Sequence, residues 1–530
     1  MNAAIEDLSE EELSSQNCPL RYLARITLEL ETPLHIGTGK EWDESDAGVV
    51  LDANGLPTLP LSGIIGVLRH AFVTGTLPDS ETRKAVDRLF GFQGPQENGE
   101  SEGQGSRLRG SFGYIHDASN TPVYGILKPE RYNLNAELVT KLPRKKGIPE
   151  EIPYETDPVL AAALRLTLRD HARHNESGVA ASKGKFDELV VCAGHRFTFE
   201  LELTGQRGSD ETAWDKLFTR LADPLTRLGG KSRRGLGRFK VERVLRRCFD
   251  LKNGDFEDYA DYDSRLDVPI AEQPSQKDKW ESFTPSASSP HTISITLRPR
   301  FFWMFGAGSD LENESDRAPV RDRRIVWAND VPEVRQDVLY LPGSGMKGGL
   351  RHRAWFHAQA KFGHFADNPN PDGKTKAHTV VTSLFGNEPD AMPADLQCGK
   401  LLPDDYFEEI VATIAPLQNH VSIDRFTGGA RDALLFDEKP AWRSGATSTA
   451  AQGSQPGLRF VIHLSKPLTS AEADVLRRSL DDLTHARLAI GGGTGRGHGF
   501  CDGSYQSVNG ENHTDCLAAV TEAESPIPTP

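Results

Sequence analysis

The sequence predicts an α+β fold made of two tandem copies of one ferredoxin-like domain. Three observations support this: a length of 530 residues, an internal repeat of short glycine-containing motifs, and the same order of strand-like and helix-like segments in both halves. A chain this long exceeds what one hydrophobic core normally holds, so we expect two domains and connecting segments.

The repeat consists of five elements that occur in one order. The clearest pair is LPLSGIIGVLRH (59–70) and LPGSGMKGGLRH (341–352), which start 282 residues apart (341 − 59). The other pairs are the glycine turns at 35–40 and 304–310, the ESD tripeptides at 44–46 and 314–316, LFG at 89–91 and 384–386, and the glycine–arginine loops at 229–239 and 491–500. Collinear matches of this kind indicate a duplication.

The predicted elements follow the same order in each copy. Alternating apolar residues at 21–37 and 291–306 predict a half-buried strand, and helices are predicted after each SG turn at 66–73 and 348–362. Late strands at 195–203 and 457–464 precede helices at 215–228 and 471–490. Strand, helix, strands and helix predict a ferredoxin-like sheet. Long polar stretches between LFG and the late strands predict an inserted subdomain.

Five segments follow from this division. We expect an acidic tail (1–19), a first domain (20–248), an acidic linker (249–290), a second domain (291–508) and a disordered tail (509–530). The net charge of −15 excludes a uniformly positive surface, but the glycine–arginine loops are locally basic.

The composition excludes several classes of protein. No apolar run approaches the length of a membrane span, and the acidic, polar start does not resemble a secretory signal, so we expect a cytoplasmic protein with no membrane partner. Six dispersed cysteines lack zinc spacing, and we expect reduced, mostly buried thiols.

Two glycine motifs superficially resemble nucleotide sites. GSGMKG (343–348) fits GxGxxG, but copy one has Leu61 at the first glycine, and no acidic residue ends a following strand. GGKS (229–232) lacks the earlier glycine of a P-loop, because that position is Leu225. We therefore expect neither an NTPase nor a nucleotide cofactor.

The glycine-rich segments instead suit contact with a nucleic-acid backbone. Glycines allow backbone N–H groups to face an anion, and a helix N-terminus adds a positive end. Ser62 and Ser344 are predicted to cap their helices, and a capped turn with a solvated arginine is the better explanation of these motifs when they are taken alone. Basic loops in both halves favour RNA or DNA contact. The candidate RNA-binding residues are His35, Lys40, Ser62, Arg69, Lys231, Arg233, Arg234, Ser344, Lys347, Arg351, Arg425, Arg431, Arg496 and His498.

Asp46 and Asp316 occupy the same place in the two ESD elements. Each carboxylate is either a turn-forming or solvated residue, or a group that holds a divalent cation or orients a ribose 2′-hydroxyl beside a scissile phosphate. Nearby acids compete for that role; they are Asp43, Glu44, Asp52, Asp310, Glu314 and Asp322.

The segment NHVSIDRFTGGARDALLF (419–436) predicts a β-hairpin that carries Arg425 and Arg431. Such a hairpin is a suitable finger over a nucleic-acid strand. The corresponding region of copy one, 173–191, is only loosely similar.

The ordered motifs resemble the RAMP superfamily of CRISPR-associated proteins, specifically the Cas-seven backbone subunits of type III effectors. The resemblance rests on PLHIGTG (33–39), ESDAGVV (44–50), LRGSFGYIHDA (108–118), HVSIDRFTGGA (420–430), and on the SG turns, LFG motifs and glycine–arginine loops of both copies. It covers both domains, and two domains in one chain resemble the type III-D double-domain fusions.

The resemblance implies two tandem ferredoxin-like (RRM-like) RAMP domains, each with an inserted thumb or β-hairpin subdomain. It implies CRISPR RNA, target RNA and other effector subunits (backbone, large and small) as partners. It further implies cleavage of target RNA by a loop aspartate with a divalent metal ion, Mg or Mn, at kinked positions of the guide–target duplex. The match assigns that role to Asp46 and, through the repeat, to Asp316.

This sequence departs from the family pattern at three places. Copy two inserts about ten residues (323–337) before its SG turn, copy one has Ile65 where copy two has Lys347, and the thumb of copy one differs from the family hairpin. Two rival functions stay open: a non-catalytic scaffold that binds CRISPR RNA, and a stand-alone endoribonuclease that processes precursor guide RNA through His35, His70 or His352.

Overall fold

The computed structural model of the chain describes residues 18–39, 47–73, 80–97, 100–127, 157–174, 180–273, 279–286, 291–306, 315–386, 399–407, 413–414, 416–442, 457–508 and 517. The predicted acidic tail before residue 18 lies outside these ranges. The predicted C-terminal tail also lies outside them, except for Leu517, which is buried against the second core.

The first domain comprises strands β1 to β11 and helices α1 to α5. Its strands are β1 (Leu20–Leu30), β2 (Thr58–Leu59), β3 (Phe92–Glu97), β4 (Glu100–Gln104), β5 (Leu108–Gly110), β6 (Gly113–Ile115), β7 (Thr167–His174), β8 (Ala180–Val190), β9 (Arg196–Gly205), β10 (Phe239–Asp250) and β11 (Glu281–Ser282). Its helices are α1 (Leu61–Val73), α2 (Ser80–Phe90), α3 (Pro158–Leu164), α4 (Ser209–Leu221) and α5 (Phe256–Ala260).

The second domain comprises strands β12 to β22 and helices α6 to α8. Its strands are β12 (His291–Pro299), β13 (Arg321–Ala328), β14 (Val331–Leu341), β15 (Leu401–Pro403), β16 (Tyr406–Phe407), β17 (Thr413–Ile414), β18 (Gln418–Ile423), β19 (Ala430–Glu438), β20 (Ala441–Trp442), β21 (Leu458–Leu464) and β22 (Cys501–Val508). Its helices are α6 (Gly343–Lys361), α7 (Pro371–Phe385) and α8 (Ser470–Thr484).

Each domain contains a ferredoxin-like antiparallel sheet, as the sequence predicts. In the second domain the strand order is β15-β21-β12-β22. Along the chain, helices α6 and α7 follow β12, and α8 precedes β22. In the first domain β1 lies between β9 and β10, and the short strands β5 and β6 pair with β9. The sheet order therefore repeats in the two halves.

Two separate apolar cores follow from the two sheets. Strands β1 and β9, whose side chains are almost all buried, contribute Ile26, Phe197 and Phe199 to the first core, and β12 and β21 contribute Ile295 and Phe460 to the second. Burial of such side chains is the main favourable contribution to folding. The duplication thus produced two domains that each have a core of their own.

The predicted helix caps are wrong. The residue before α6 is Pro342, which makes no side-chain capping bond, so Ser344 lies within the first turn. In the first domain the helix begins at Leu61 and the N–H groups of Gly63 and Ile64 donate to the Pro60 carbonyl, so Ser62 is also inside its helix. Proline is tolerated directly before the helix, because its φ of −68° is allowed there and it adds no unpaired N–H group.

The acidic segment 249–290 joins the domains and folds against the first sheet where it is described. The buried guanidinium of Arg25 donates to Glu200 at 2.8 Å, to the carbonyl of Val268 at 2.6 Å and to the hydroxyl of Tyr262 at 3.0 Å. The segment therefore covers the side of the sheet that carries Arg25 and Glu200.

The insertion of copy two (323–337) forms most of the β13–β14 hairpin, whose strands pair from Arg321 and Leu339 to Ala328 and Val331. The described cysteines are free thiols: Cys18, Cys192 and Cys501 are buried, and Cys248 is exposed. In the described part of the chain, no helix combines the length and apolarity needed to cross a membrane.

Candidate nucleic-acid interface

Each domain carries a β-hairpin at the same place, before the late sheet strand. The predicted hairpin of the second domain is confirmed as β18–β19, with His420 opposite Phe436. The first domain has the corresponding hairpin β7–β8, with His171 opposite Phe186. The sequence comparison of this region was misleading, because the residues along the two hairpins differ while their bases share one arrangement.

A buried glutamate lies at the base of each hairpin. Glu188 accepts a hydrogen bond from Nε2 of His171 at 2.8 Å and lies 2.6 Å from Nζ of Lys231. Glu438 lies 3.0 Å from Nε2 of His420 and accepts two hydrogen bonds from Arg496. Both glutamates are fully buried. Each glutamate therefore ties its hairpin to the glycine–arginine loop of the same domain.

An aromatic stack completes each cluster. The His171 ring lies 4.9 Å from the Phe186 ring at an interplanar angle of 13°, and Arg234 lies over Phe186 at 4.7 Å. In the second domain the His420 ring lies 5.0 Å from Phe436 at 22°, and the Arg496 guanidinium lies over that ring at 5.2 Å. Cations over aromatic faces are attracted by the ring quadrupole.

The electrostatics keep both glutamates ionised. Burial alone would raise the pKa of Glu188, but hydrogen bonds and charges from His171 and Lys231 outweigh it and lower the pKa to about 2. Burial opposes ionisation of Glu438 too, and Arg496 with the neighbouring histidines holds its pKa below the usual value. Charged hydrogen bonds of this kind are stronger than neutral ones, so they fix the loops to the hairpins.

The glycine–arginine loops owe their shape to glycines at positive φ. Gly229 (φ 73°) and Gly491 (φ 87°) pack against the carbonyls of His35 and Met304, where a Cβ atom would lie 2.2 and 2.3 Å from the oxygen. A residue with a side chain cannot occupy either place without moving the backbone. Each loop is thus held against the glycine turn that follows the first strand of its domain.

Asp316 lies at the base of the second hairpin and is exposed. Its backbone N–H donates to Oδ1 of Asp437 at 2.8 Å, and the N–H of Asp437 donates to Oδ2 of Asp316 at 3.0 Å. Asp46 lies outside the described residues. The following residue, Ala47, accepts a hydrogen bond from the N–H of Leu189, which is next to Glu188. Ala47 in the first copy and Asp316 in the second therefore both contact a hairpin base.

The competing acids divide into two groups. Asp52 accepts hydrogen bonds from the N–H groups of Asn54 and Leu56 and shapes a turn. Asp322 is buried and paired with Arg169 at 2.8 Å. Both carboxylates have structural partners. The remaining four, Asp43, Glu44, Asp310 and Glu314, lie outside the described residues.

The tip of the second hairpin exposes apolar and basic side chains together. Arg425 and Arg431 are exposed, and so are the apolar side chains of Val421, Ile423, Phe426 and Leu435. Phe426 is 95% exposed at the turn. Aromatic and aliphatic side chains beside arginines suit contact with unstacked bases and phosphates.

The other predicted RNA-binding residues lie on the glycine turn of the first domain, on the helices that follow the SG turns, and near the boundary between the domains. His35 is buried, with Nδ1 2.8 Å from the Leu189 carbonyl, and Lys40 lies outside the described residues. On the SG helices, Arg69 is exposed 3.6 Å from Asp87, and Arg351 donates to the Gly386 carbonyl at 2.6 Å.

Arg233 and Lys347 are directed between the domains. Arg233 donates to the Gly399 carbonyl at 2.6 Å, and Nζ of Lys347 donates to the carbonyls of Arg233 and Leu401 at 3.3 Å. His498 is buried 3.7 Å from Glu438. These groups have protein partners in the isolated chain.

The sequence interpretation missed the residues that organise the clusters. Phe-Asp-Glu occurs at 186–188 and again at 436–438, each time in the second strand of a hairpin. It is a sixth collinear element of the repeat. This signal was available in the sequence. A match of three common residues is too weak to be recognised, however, until the structure shows that a histidine lies opposite the phenylalanine of each match in the hairpin.

The second hairpin base offers two carboxylates, those of Asp316 and Asp437, as oxygen ligands. Among the described residues, no group of three or more His, Cys, Asp or Glu side chains is arranged to hold a metal ion. Mg²⁺ commonly uses one or two carboxylates and completes its shell with water and phosphate oxygens. The adjacent carboxylates of Asp316 and Asp437 match that donor set.

Comparisons with known proteins give one family. The model of the RAMP superfamily matches residues 27–240 and 326–502, which together span well over half of the chain. No curated protein was found to match.

Two solved structures show a distant likeness. A chain of type III-B Cmr-beta bound to cognate target RNA is 13% identical, with 44% of this chain and 62% of that chain covered and a TM-score of 0.26. A chain of type III-B Cmr-beta in the apo state is 14% identical, with 42% and 96% covered and a TM-score of 0.28. Each matched range lies within one of the two domains, the first beginning inside β1 and the second beginning after β12. The chain belongs to the RAMP superfamily.

Proposed function

We propose that this protein is a CRISPR RNA-binding backbone subunit of a type III effector, and that it cleaves the paired target RNA. The observation that carries the proposal is the repeated cluster in which a glycine–arginine loop meets a hairpin base through a buried glutamate. In the second domain this cluster brings Asp316 beside a hairpin with an exposed apolar and basic tip.

The proposed binding surface is the hairpin with the loop at its base. Arg425 and Arg431 neutralise phosphates, and Phe426 is placed to enter between bases and separate them. The loop arginines that contact Phe186 and Phe436 hold the hairpins in position. The protein reads the shape of the RNA backbone, while base pairing between guide and target supplies sequence specificity.

The proposed reaction is an attack by a ribose 2′-oxygen on the adjacent phosphorus. A kink in the duplex brings the 2′-oxygen in line with the bond to the 5′-oxygen, which contributes the orientation part of catalysis. The aspartate accepts the 2′-hydroxyl proton as the new P–O bond forms. The bond to the 5′-oxygen breaks, that oxygen takes a proton from water, and the products carry a 2′,3′-cyclic phosphate and a 5′-hydroxyl.

Asp316, with Asp437, would hold the divalent ion that the family resemblance implies, Mg or Mn. Such an ion supplies compensation of the negative charge on the phosphate. Other effector subunits, namely backbone, large and small subunits, are proposed as partners, in accord with the type III-B Cmr-beta chains that the fold distantly resembles.

The decisive experiment maps the product ends of a labelled target RNA with the assembled complex. Asp46→Ala and Asp316→Ala, tested singly, should each remove one cleavage position by about 100-fold or more while the guide and target stay bound. Asp372→Ala, an exposed carboxylate in α7, is the matched control and should leave every cleavage position unchanged.

The two rival functions give different results in the same experiment. Unchanged cleavage by the double variant would make the protein a non-catalytic scaffold. Cleavage of precursor repeat RNA by the isolated chain, lost with His35→Ala, His70→Ala or His352→Ala, would identify a processing endoribonuclease.

A further inference from the structure

The two domains meet at a joint made of buried opposite charges. A pair of aspartates after β15, Asp404 and Asp405, receives arginines from the first domain. Arg227 donates to Asp404 at 2.5 Å, Arg238 also donates to Asp404, and Arg169 donates to Asp405 at 3.0 Å. Both aspartates are buried. The basic side of the joint therefore belongs to the first domain and the acidic side to the second.

The β13–β14 hairpin forms a second part of this joint. Nε1 of Trp327 donates to the Gly194 carbonyl at 2.7 Å, and Arg196 lies 4.4 Å over the Trp327 ring. Ala193 and Arg324 form a parallel bridge, and a Cβ atom on Gly194 would lie 1.9 Å from the Ile325 carbonyl. The insertion of copy two is thus an arm that reaches the first domain.

Strand register identifies the residues that take the place of the acidic pair in the first domain. Leu401 pairs with Leu464 on β21, and Leu108 pairs with Leu203, the corresponding residue of β9. Further on, Phe407 pairs with Tyr340, and Tyr114 pairs with Thr58. Both pairings give the same offset, 293 residues (401 − 108 and 407 − 114).

This offset places Ser111 and Phe112 at the positions of Asp404 and Asp405. Phe112 is 49% exposed. The outer face of the first domain therefore lacks the carboxylates that receive arginines at the joint.

The glycine–arginine loops can be aligned in the same way. Gly237 and Gly499 occupy one position, since a Cβ atom on either would lie 1.9 Å from the carbonyl of Leu228 or Ile490. The resulting offset of 262 (499 − 237) equates Arg227 with Ala489 and Arg238 with Phe500.

The remaining cations of the joint are replaced as well. The same loop offset equates Arg233 with Gly495. In the hairpins, Arg169 faces Glu188 as Gln418 faces Glu438. The second domain therefore has a neutral residue at four positions where the first domain contributes an arginine to the joint, namely those of Arg169, Arg227, Arg233 and Arg238. Arg234 and Arg496, which face the hairpins, are present in both copies.

The first domain also has no counterpart of the arm. Where the second domain has β13–β14, the first has a tight turn in which Asp52 accepts the N–H groups of Asn54 and Leu56. Leu51 and Pro57 form a bridge across that turn. This turn is too short to extend to a preceding domain.

From these three differences we propose that the charged groups and the arm of the joint pair the two domains of one chain and do not pair one chain with another. The basic face of the first domain accepts the acidic face and arm of the second. The two outer faces carry neither partner group, so copies of this chain do not add to one another in a row, and each outer face is left for a different subunit. Like charges in a protein of net charge −15 further oppose self-association.

The test introduces the charged groups of the joint, aspartates or arginines, on an outer face. It needs no RNA, so it does not depend on the proposed function. One full-length variant carries Ser111→Asp with Phe112→Asp, and the other carries Ala489→Arg with Phe500→Arg. Mass is measured by sedimentation of each protein alone and of the mixture, at low and high salt.

We expect the unaltered chain and each variant alone to sediment at the monomer mass of 58.3 kDa, which also controls for folding. The mixture should contain a dimer that high salt dissociates, because ion pairs near the surface are screened. Self-association of the unaltered chain would overturn the claim that copies of this chain do not pair through their outer faces. Two folded variants that stay monomeric when mixed would overturn the claim that the charged groups of the joint bring two domains together.

Discussion

At the scale of single residues, the most informative group is a buried glutamate that the motif search did not single out. Glu188 makes no contact with solvent, yet three elements meet at its carboxylate: the hairpin through His171, the glycine–arginine loop through Lys231, and its own strand. A buried carboxylate is tolerated because both oxygens have cationic or hydrogen-bonding partners.

Replacing Glu188 by Gln should lower the free energy of unfolding at neutral pH. It should also make that free energy change less as the pH falls through the acidic range. The pKa of Glu188 is about 2 in the folded chain and 4.5 when unfolded. The folded state thus binds fewer protons, so this contribution is full above pH 4.5 and is lost as the pH falls to about 2. We expect a loss on the order of 3 kcal/mol at pH 7, measured by denaturant unfolding across a pH series.

The control is Glu211→Gln, an exposed carboxylate in α4, which should change the free energy of unfolding by less than about 0.5 kcal/mol. An acid-unfolding profile of Glu188→Gln that follows the unaltered chain would contradict the assignment.

At the scale of elements, the two glycine–arginine loops show how one motif can serve two purposes. Both contain a short 3₁₀ turn, 232–234 and 494–496, that ends at a glycine of positive φ. The turn of the first domain packs against β15 and α6 across the joint, whereas among the described elements the turn of the second domain makes no comparable contact with the first domain.

Alanine substitutions at Gly235 and Gly497 should separate these purposes. Gly235 has φ 114° and an added Cβ atom would lie 2.2 Å from Oδ1 of Asp405, whereas Gly497 has φ 91° and no atom within 4 Å of that place. Both changes incur a backbone cost of roughly 1–2 kcal/mol, but Gly235→Ala adds a clash of about 1–3 kcal/mol. Thermal unfolding of the two variants measures the difference, and equal midpoints would show that the loop does not pack tightly at the joint.

At the scale of the whole molecule, buried charge joins the two cores. Arg169 is paired with Asp322 at 2.8 Å and Asp405 at 3.0 Å and lies over the ring of Tyr340 at 3.7 Å. Burial raises the pKa of Asp405 to about 6 against the opposing charge of Arg169. The arginine therefore stabilises two carboxylates that belong to the other domain.

Arg169→Ala should destabilise the chain by about 3–5 kcal/mol, because two buried carboxylates lose their partner. Calorimetry should then show the two domains unfolding in separate transitions. The pKa of Asp405 is higher in the folded chain than in the unfolded chain, so ionisation of this carboxyl lowers stability as the pH rises to about 6. Without Arg169, keeping the buried carboxylate ionised lowers stability further. The effect of the substitution should be smaller near pH 5 than near pH 7.5.

Arg300→Ala is the matched control for this prediction. Arg300 pairs with Asp502, but both side chains are about half exposed and solvent screens the pair, so we expect a much smaller loss of stability than Arg169→Ala causes. Equal effects of the two substitutions would mean that the joint contributes no more than a surface ion pair.

Much of the fold was predictable from local pattern. The strands, the helices after the SG turns, the second hairpin and the LFG motifs at the ends of α2 and α7 lie close to their predicted places, since each depends on periodicity or on a glycine at positive φ. The helix starts were less accurate, because the helices begin directly after Pro342 and Pro60, earlier than the serines that were expected to cap them.

The candidate site was only partly predictable. The position of Asp316 follows from the repeat, and the sequence offers nothing that shows its hydrogen bonds with Asp437, a residue 121 positions away. Likewise, Arg233 and Lys347 were grouped with phosphate ligands because they are basic and near glycines. Their contacts across the joint depend on how two domains pack.

The amino-acid sequence alone determined the duplication, the ferredoxin-like order of elements and membership of the RAMP superfamily, because these are encoded in short-range periodicity and collinear motifs. Only the tertiary structure decided which charges are exposed and which face the other domain. A guanidinium has the same chemistry in either place, and its role is set by the carboxylate, ring or solvent that the fold brings to it.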